Sequence, residues 1–339
     1  MDIAGLEEVA RSLVAPGKGI LAADESGPTI EKRFQGIDLP STEENRRAYR
    51  ELLFTAAGVP DHISGVILYD ETIRQRSLNG TPFAQLLAQR GIVPGIKVDA
   101  GAKPLAGFPG EKVTEGLDDL RGRLEAYREM GARFAKWRAV IDIGEGIPSS
   151  CCIGANGHAL ARYAALCQEA GLVPIVEPEV LMDGGHTIAR CEEVTTEVLS
   201  RVYAELSLHR VRLEGTLLKP NMVVAGKKCP VQPDTREVAE RTVRTLKRTV
   251  PPAVPGIVFL SGGQTPRQAT ENLSAMNGMG THPWELSFSY GRALQDPVLK
   301  AWRGLPGNVT AAQKAFLHRA KLNGAARSGR YHASMEESA

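Results

Sequence analysis

The sequence predicts an α/β fold, a (β/α)8 TIM barrel forming a single domain, on three observations. Eight short apolar runs recur at even spacing, amphipathic helical segments lie between them, and no linker-like stretch divides the 339 residues. The runs are GILAADE, SGVILYD, VPGIKVD, FAKWRAV, VPIVEPE, GTLLKPN, GIVFLSG and WELSFSYG. Each is nearly continuous in hydrophobicity before it turns polar, as suits strands buried on both faces of a parallel sheet. Between them, apolar residues at three- to four-residue spacing predict helices in EENRRAYRELLFTAAG, LDDLRGRLEAYREMG, HALARYAALCQEAG, EEVTTEVLSRVYAEL and TREVAERTVRTLKRTV. Several of these finish on Gly, the residue that best accepts the backbone turn closing a helix. Strict alternation of strand and helix demands right-handed crossovers and a parallel sheet. An open doubly wound sheet is the rival, but no G-x-G-x-x-G follows the first run and no P-loop spacing occurs.

At the N-terminus Ile3, Leu6, Val9 and Leu13 fall at helical spacing, without the basic start and apolar stretch of a signal peptide. No segment approaches the roughly 18 apolar residues of a membrane-spanning helix. The barrel is expected over residues 1–330, and the small, polar segment 331–339 as a short C-terminal tail that is flexible or lies over the surface. A composition of 42% apolar residues supports a large core. With 41 basic and 39 acidic residues and no run of like charge, nothing points to nucleic acid or an anionic membrane as partner. The five cysteines, Cys151, Cys152, Cys167, Cys191 and Cys229, have neither CxxC nor zinc-ligand spacing, which fits a reducing, cytoplasmic setting.

The loops that follow the strands build the catalytic face of such a barrel. Asp24 closes the first run and Lys97 the third; Lys136 and Arg138 lie in the fourth; Glu177 and Glu179 end the fifth; Lys219 ends the sixth. An unpaired charge inside an apolar strand costs several kcal/mol, so these residues point to chemistry. A single strand-end lysine is by itself a solvated rim residue. Several basic groups and two carboxylates on successive strand ends are a different case. A lysine crowded by Lys136 and Arg138 is expected to have its pKa pushed down, freeing an amine that attacks a ketone to give an iminium, with Glu177 moving the proton. Ser261, Gly262 and Gly263 have the composition of a phosphate nest ahead of a helix opened by Thr265 and Pro266, and Arg292 adds a cation. Ser26, Thr29, Lys32 and Arg33 gather hydroxyls and charge at another helix start, which suits a second phosphate. The seven histidines are scattered; His186 follows Glu177, Glu179 and Asp183 without a second histidine at ligand spacing, so no catalytic metal and no cofactor is expected.

These residues resemble the class I fructose-1,6-bisphosphate aldolases over roughly residues 5 to 330, through GKGILAADES, TEENRRAYRELLF, PGIKVD, FAKWRAV, VEPE, LLKPNMV, FLSGGQ and FSYGRALQ in that order. The resemblance implies a Schiff base between Lys219 and the ketone carbon of a sugar bisphosphate in glycolysis and gluconeogenesis. Glu177 then serves acid–base steps, Asp24 takes the C4 hydroxyl proton, Lys136 stabilises charge near the carbinolamine, and Glu179 orients the cluster. It places one phosphate at Ser261, Gly262, Gly263, Ser289, Gly291 and Arg292, and the other phosphate with the sugar hydroxyls at Ser26, Thr29, Arg33, Lys97 and Arg138. It also implies a homotetramer. Two departures stand out: Thr29 occupies a position that is a serine in animal members, and the sequence ends MEESA where animal members end in a tyrosine that assists proton exchange. Other Schiff-base barrel aldolases, which need one phosphate site, and a barrel serving as a scaffold without turnover are the alternatives.

Overall fold

The computed structural model describes residues 2–337. Eight parallel strands close into a barrel, each supplied by one of the eight predicted runs: β1 (Gly19–Ala22), β2 (Ile63–Leu68), β3 (Val93–Lys97), β4 (Phe134–Ile141), β5 (Val173–Val180), β6 (Leu217–Leu218), β7 (Gly256–Phe259) and β8 (Glu285–Tyr290). Strand β1 pairs with both β2 and β8, so the sheet has no free edge. The five predicted helices form at Glu43–Thr55, Leu120–Glu129, Ser150–Glu169, Ile188–Leu208 and Thr235–Thr249. Two of them end as their glycines foretell: Gly131 and Gly171 have φ of 107° and 72°, a region closed to most side chains.

The core has two parts because strand side chains alternate. Outward residues such as Trp137, Val176, Leu218 and Phe259 pack under the helices. Inward residues Ile20, Ile67, Phe134, Val173, Ile175, Leu217 and Val258 fill the barrel, and the N-terminal helix Ile3–Leu13 adds Leu6, Ala10 and Leu13 to the same cluster. Its end is fixed by Ser64, whose Oγ donates to the Leu13 carbonyl. That helix plugs the barrel at the N-terminal ends of the strands. Phe134 is accommodated by Gly95, where a Cβ would lie only 2.3 Å from the ring.

Several pieces go beyond the strict alternation read from the sequence, among them paired helices after β1 and after β2 and a long final helix, Val309–Ala326. An antiparallel hairpin, Gly101–Pro104 with Lys112–Glu115, is inserted after β3. Beyond residue 330, Ala333–Glu337 forms a 3-10 turn on the surface, with Glu336 bound to Arg319 at 2.6 Å and to the Tyr331 hydroxyl at 2.9 Å. Ser338 and Ala339 of the expected tail lie outside the described residues. Cys151 and Cys152 sit in the first turn of the helix Ser150–Glu169, and none of the five thiols is in a disulfide. No helix among the described residues is long and apolar enough to cross a membrane.

Candidate active site

Period-two alternation carries each inward strand face from apolar to charged. Ile20 and Ala22 lead to Asp24; Phe134 leads to Lys136 and Arg138; Val173 and Ile175 lead to Glu177 and Glu179; Leu217 leads to Lys219. Register sets Lys136 beside Lys97, Arg138 beside Glu177, and Val140 beside Glu179. The charged ends therefore converge above the packed interior, where they line a cavity of about 580 Å³. A larger hollow of about 700 Å³ lies on the outer wall between helices and brings none of these strand ends together.

Lys219 is 4% exposed, and its Nζ stands 3.1 Å from Glu177 Oε1. The other carboxylate oxygen of Glu177 is 3.1 Å from Lys136 Nζ, which also reaches Asp24 Oδ2 at 2.8 Å. Two lysines and two carboxylates thus form one buried chain of alternating charge. Burial alone would raise the Asp24 and Glu177 carboxyls, but Lys136 and then Lys219 outweigh it and hold both below the usual carboxylate range. Burial likewise opposes the charge on Lys136, yet Asp24, Glu177 and Asp99 together hold its pKa well above the ordinary lysine value. Lys136 is thereby a fixed cation. The expectation that Lys136 and Arg138 act on Lys219 as bare positive neighbours needs correction: Lys136 is shared between two carboxylates, and Arg138 Nε is paired with Glu179.

The two phosphate-type clusters lie at the rim of this cavity. On one side Ser26 is the N-cap of the helix Gly27–Gln35 without a side-chain cap bond, and its Oγ lies 3.1 Å from Thr29 Oγ1. Both residues line the cavity, while the Thr29 and Ile30 N–H groups donate back to the Ser26 carbonyl. On the other side Ser261, Gly262, Ser289, Gly291 and Arg292 line the cavity. Gly262 has φ of 55°, and its carbonyl accepts from Arg292 Nη2. The Ser289 hydroxyl is buried and makes no hydrogen bond within the protein, so it is free to donate to a ligand. Thr265 closes a capping box with Gln268 at the start of the helix Pro266–Asn277, which fixes this loop.

All the sequence-predicted residues line the cavity except Gly263. Its N–H is directed at Met182 Sδ, 3.2 Å away, and the Lys227 side chain covers its Cα, so it shapes the loop from behind. Arg33 stands next to Gly291, beside the strand-eight cluster, held by Glu25. Glu25 and Asp99 were not singled out in the sequence. Glu25 is buried and takes Arg33, Arg50 and Gln295, while Asp99 takes Lys97 Nζ at 2.6 Å and the Arg138 N–H at 3.2 Å. The signal for both was present: each is an acidic residue within two positions of a chosen one, at the end of an apolar run. The lining holds seven basic side chains against five acidic, an excess that suits a doubly phosphorylated ligand. Lys227 pairs with Asp183 at 3.0 Å, and the His186 carbonyl accepts from Gly226, so the loop after β5 is tied to the loop after β6.

A (β/α)8 barrel with a buried lysine–carboxylate chain at the catalytic strand ends, set between two clusters of hydroxyls and cations, has the architecture of a barrel enzyme. The family model for class I fructose-bisphosphate aldolase, described as glycolytic, matches residues 5–339. The chain is 60% identical to a probable fructose-bisphosphate aldolase class 1 of Xanthomonas campestris, covering 98% of this chain and 99% of that protein. It is 56% identical to a fructose-bisphosphate aldolase of Dictyostelium discoideum, covering 95% and 91%. The solved aldolase of Plasmodium falciparum, in complex with TRAP and a small-molecule inhibitor, superposes with a TM-score of 0.96 at 51% identity over 97% of this chain and 96% of that one. The chain belongs to the class I fructose-bisphosphate aldolase family, and is a lyase.

Proposed function

We propose that the chain cleaves fructose 1,6-bisphosphate reversibly to dihydroxyacetone phosphate and glyceraldehyde 3-phosphate through a Schiff base on Lys219. The observation that carries this reading is the buried Lys219 Nζ, 3.1 Å from Glu177 and set between the two phosphate clusters. A proton passes from Lys219 to Glu177, and the free amine attacks the ketone carbon, forming the N–C bond of a carbinolamine. Neutralising Lys219 removes one of the cations that depress Glu177, so burial now favours its protonated form. Glu177 then protonates the departing hydroxyl, water leaves, and an iminium remains. Asp24, ionised beside Lys136, takes the C4 hydroxyl proton. The C3–C4 bond breaks, its electron pair enters the iminium to give an enamine, and glyceraldehyde 3-phosphate departs. Protonation at C3 and hydrolysis release the ketone product and restore the amine.

The Ser26–Thr29 helix start with Lys97 and Arg138 holds one phosphate and the sugar hydroxyls; Ser261, Gly262, Ser289, Gly291 and Arg292 hold the other. Glu179 aligns Arg138 beside the cluster. The family points to a role in glycolysis and gluconeogenesis, in the cytoplasm, as a homotetramer; light scattering on the purified protein checks the last. Kinetics test the chemistry. Lys219→Ala is expected to abolish cleavage, and a chelator to leave the rate of the unaltered enzyme unchanged. Residual wild-type turnover in the variant, or loss of activity with chelator, contradicts the mechanism.

A further inference from the structure

We propose that His158, Glu205 and His209 bind one divalent transition-metal ion of the zinc type on the outer wall of the barrel, away from the catalytic cavity. His158 lies on the helix Ser150–Glu169, and Glu205 is on the neighbouring helix Ile188–Leu208, with His209 at its C-cap. Their donor atoms lie within 4.8 Å of one another. The Glu205 side chain is 7% exposed, and its two oxygens have separate surroundings. Oε1 takes Arg201 Nη2 at 2.7 Å. Oε2 faces both imidazoles, with His158 Nδ1 at 3.4 Å and His209 Nδ1 at 3.8 Å. Oε2 is thus the Glu205 oxygen that both rings approach, at distances longer than a good hydrogen bond, while the arginine is held by the other oxygen.

The ligand set is right for this class of ion. His209 Nδ1 lies 2.9 Å from the Glu205 backbone carbonyl, which only accepts, so this nitrogen carries the proton and Nε2 keeps its lone pair for a metal. Two imidazoles and one carboxylate oxygen suit zinc and its neighbours better than magnesium or calcium, with water completing the shell. In a tetrahedral site with bonds of about 2.0–2.1 Å, adjacent donors stand roughly 3.3 Å apart. His158 Nδ1 already stands near that spacing from Glu205 Oε2, at 3.4 Å, so closing the 4.8 Å spread of the three donors requires a turn of the half-buried His209 ring toward the same oxygen. Glu205 and His209 lie where the helix leads toward the start of β6, at the end of the barrel opposite the catalytic strand ends. An ion there clips two adjacent helices together and acts on stability rather than turnover.

The test uses the full-length protein, stripped with chelator and titrated with Zn²⁺ by calorimetry, with Co²⁺ as the spectroscopic probe. One ion per chain is expected, with a rise in melting temperature, no thiolate-to-cobalt charge-transfer band, and an unchanged rate of sugar bisphosphate cleavage. The double variant His158→Ala/His209→Ala is expected to keep its fold and rate but lose both binding and the thermal shift. Arg201→Ala, which removes a competing cation from Glu205, is expected to tighten binding several-fold. No saturable binding in the unaltered protein, or equal binding in the double variant, overturns the proposal; the second outcome places the ion on thiols or in the catalytic cavity.

Discussion

Lys219 and Lys136 are both buried and both touch Glu177, yet their second partners separate their roles. Lys136 is also held by Asp24, so it keeps its charge and serves as counter-ion to two carboxylates. Replacing it with Met leaves Asp24 and Glu177 without that cation in a desolvated site, and breaking such a buried pair costs about 3–5 kcal/mol. Lys136→Met is therefore expected to lower denaturant stability by that amount as well as activity. Glu177→Gln keeps the volume and removes the proton carrier; a fall in kcat of about 10²–10⁴-fold is expected, measured by coupled assay. Asp24 and Glu177 also set an acid limit. Their folded pKa values lie below the unperturbed 3.8 and 4.5, so their contribution to stability is complete above about pH 4.5 and is lost as pH falls through the lowered values. Melting temperature measured from pH 6 downward is expected to be level at first and then to fall below about pH 4.5, and to fall less steeply in a Lys136→Met variant that has lost the ion pairs.

At the scale of elements, what was legible in the sequence follows from periodicity. Strands buried on both faces read as continuous apolar runs, and a charge within such a run has few ways to be satisfied except at a site. Lys136, Glu177 and Lys219 were found that way. The hairpin after β3 was not, because GAKP and KVTE are only four residues each and neither holds an apolar run or a periodic apolar signal. Glu25 and Arg50 form a buried pair that is invisible locally: Arg50 sits in the helix Glu43–Thr55 among Tyr49, Leu53 and Phe54, and its partner arrives from 25 residues earlier. The helix Gly27–Gln35 supplies a separable prediction. Thr29→Val keeps the shape but removes a hydroxyl from the phosphate cradle, so KM for fructose 1,6-bisphosphate is expected to rise several-fold with kcat little changed. An equal loss in both parameters in steady-state kinetics contradicts a ground-state binding role.

For the whole molecule, the two ends of the barrel divide the labour: charge gathers at the C-terminal ends of the strands, and apolar packing with the N-terminal helix seals the other end. Sequence spacing foretold that helix, but only the closed sheet shows that Leu6, Ala10 and Leu13 enter the barrel interior. Leu13→Ala is expected to cost about 2–5 kcal/mol in denaturant unfolding while leaving kcat unchanged, because the cavity it opens is at the opposite end from Lys219. The same separation lets the chemistry be examined on the intact chain. Incubation with dihydroxyacetone phosphate and borohydride, followed by peptide mass mapping, reads the covalent step itself. A single reduced adduct on Lys219 is expected, absent from Lys219→Ala; an adduct on Lys136, or none on the active wild-type enzyme, contradicts the assignment of Lys219 as the nucleophile.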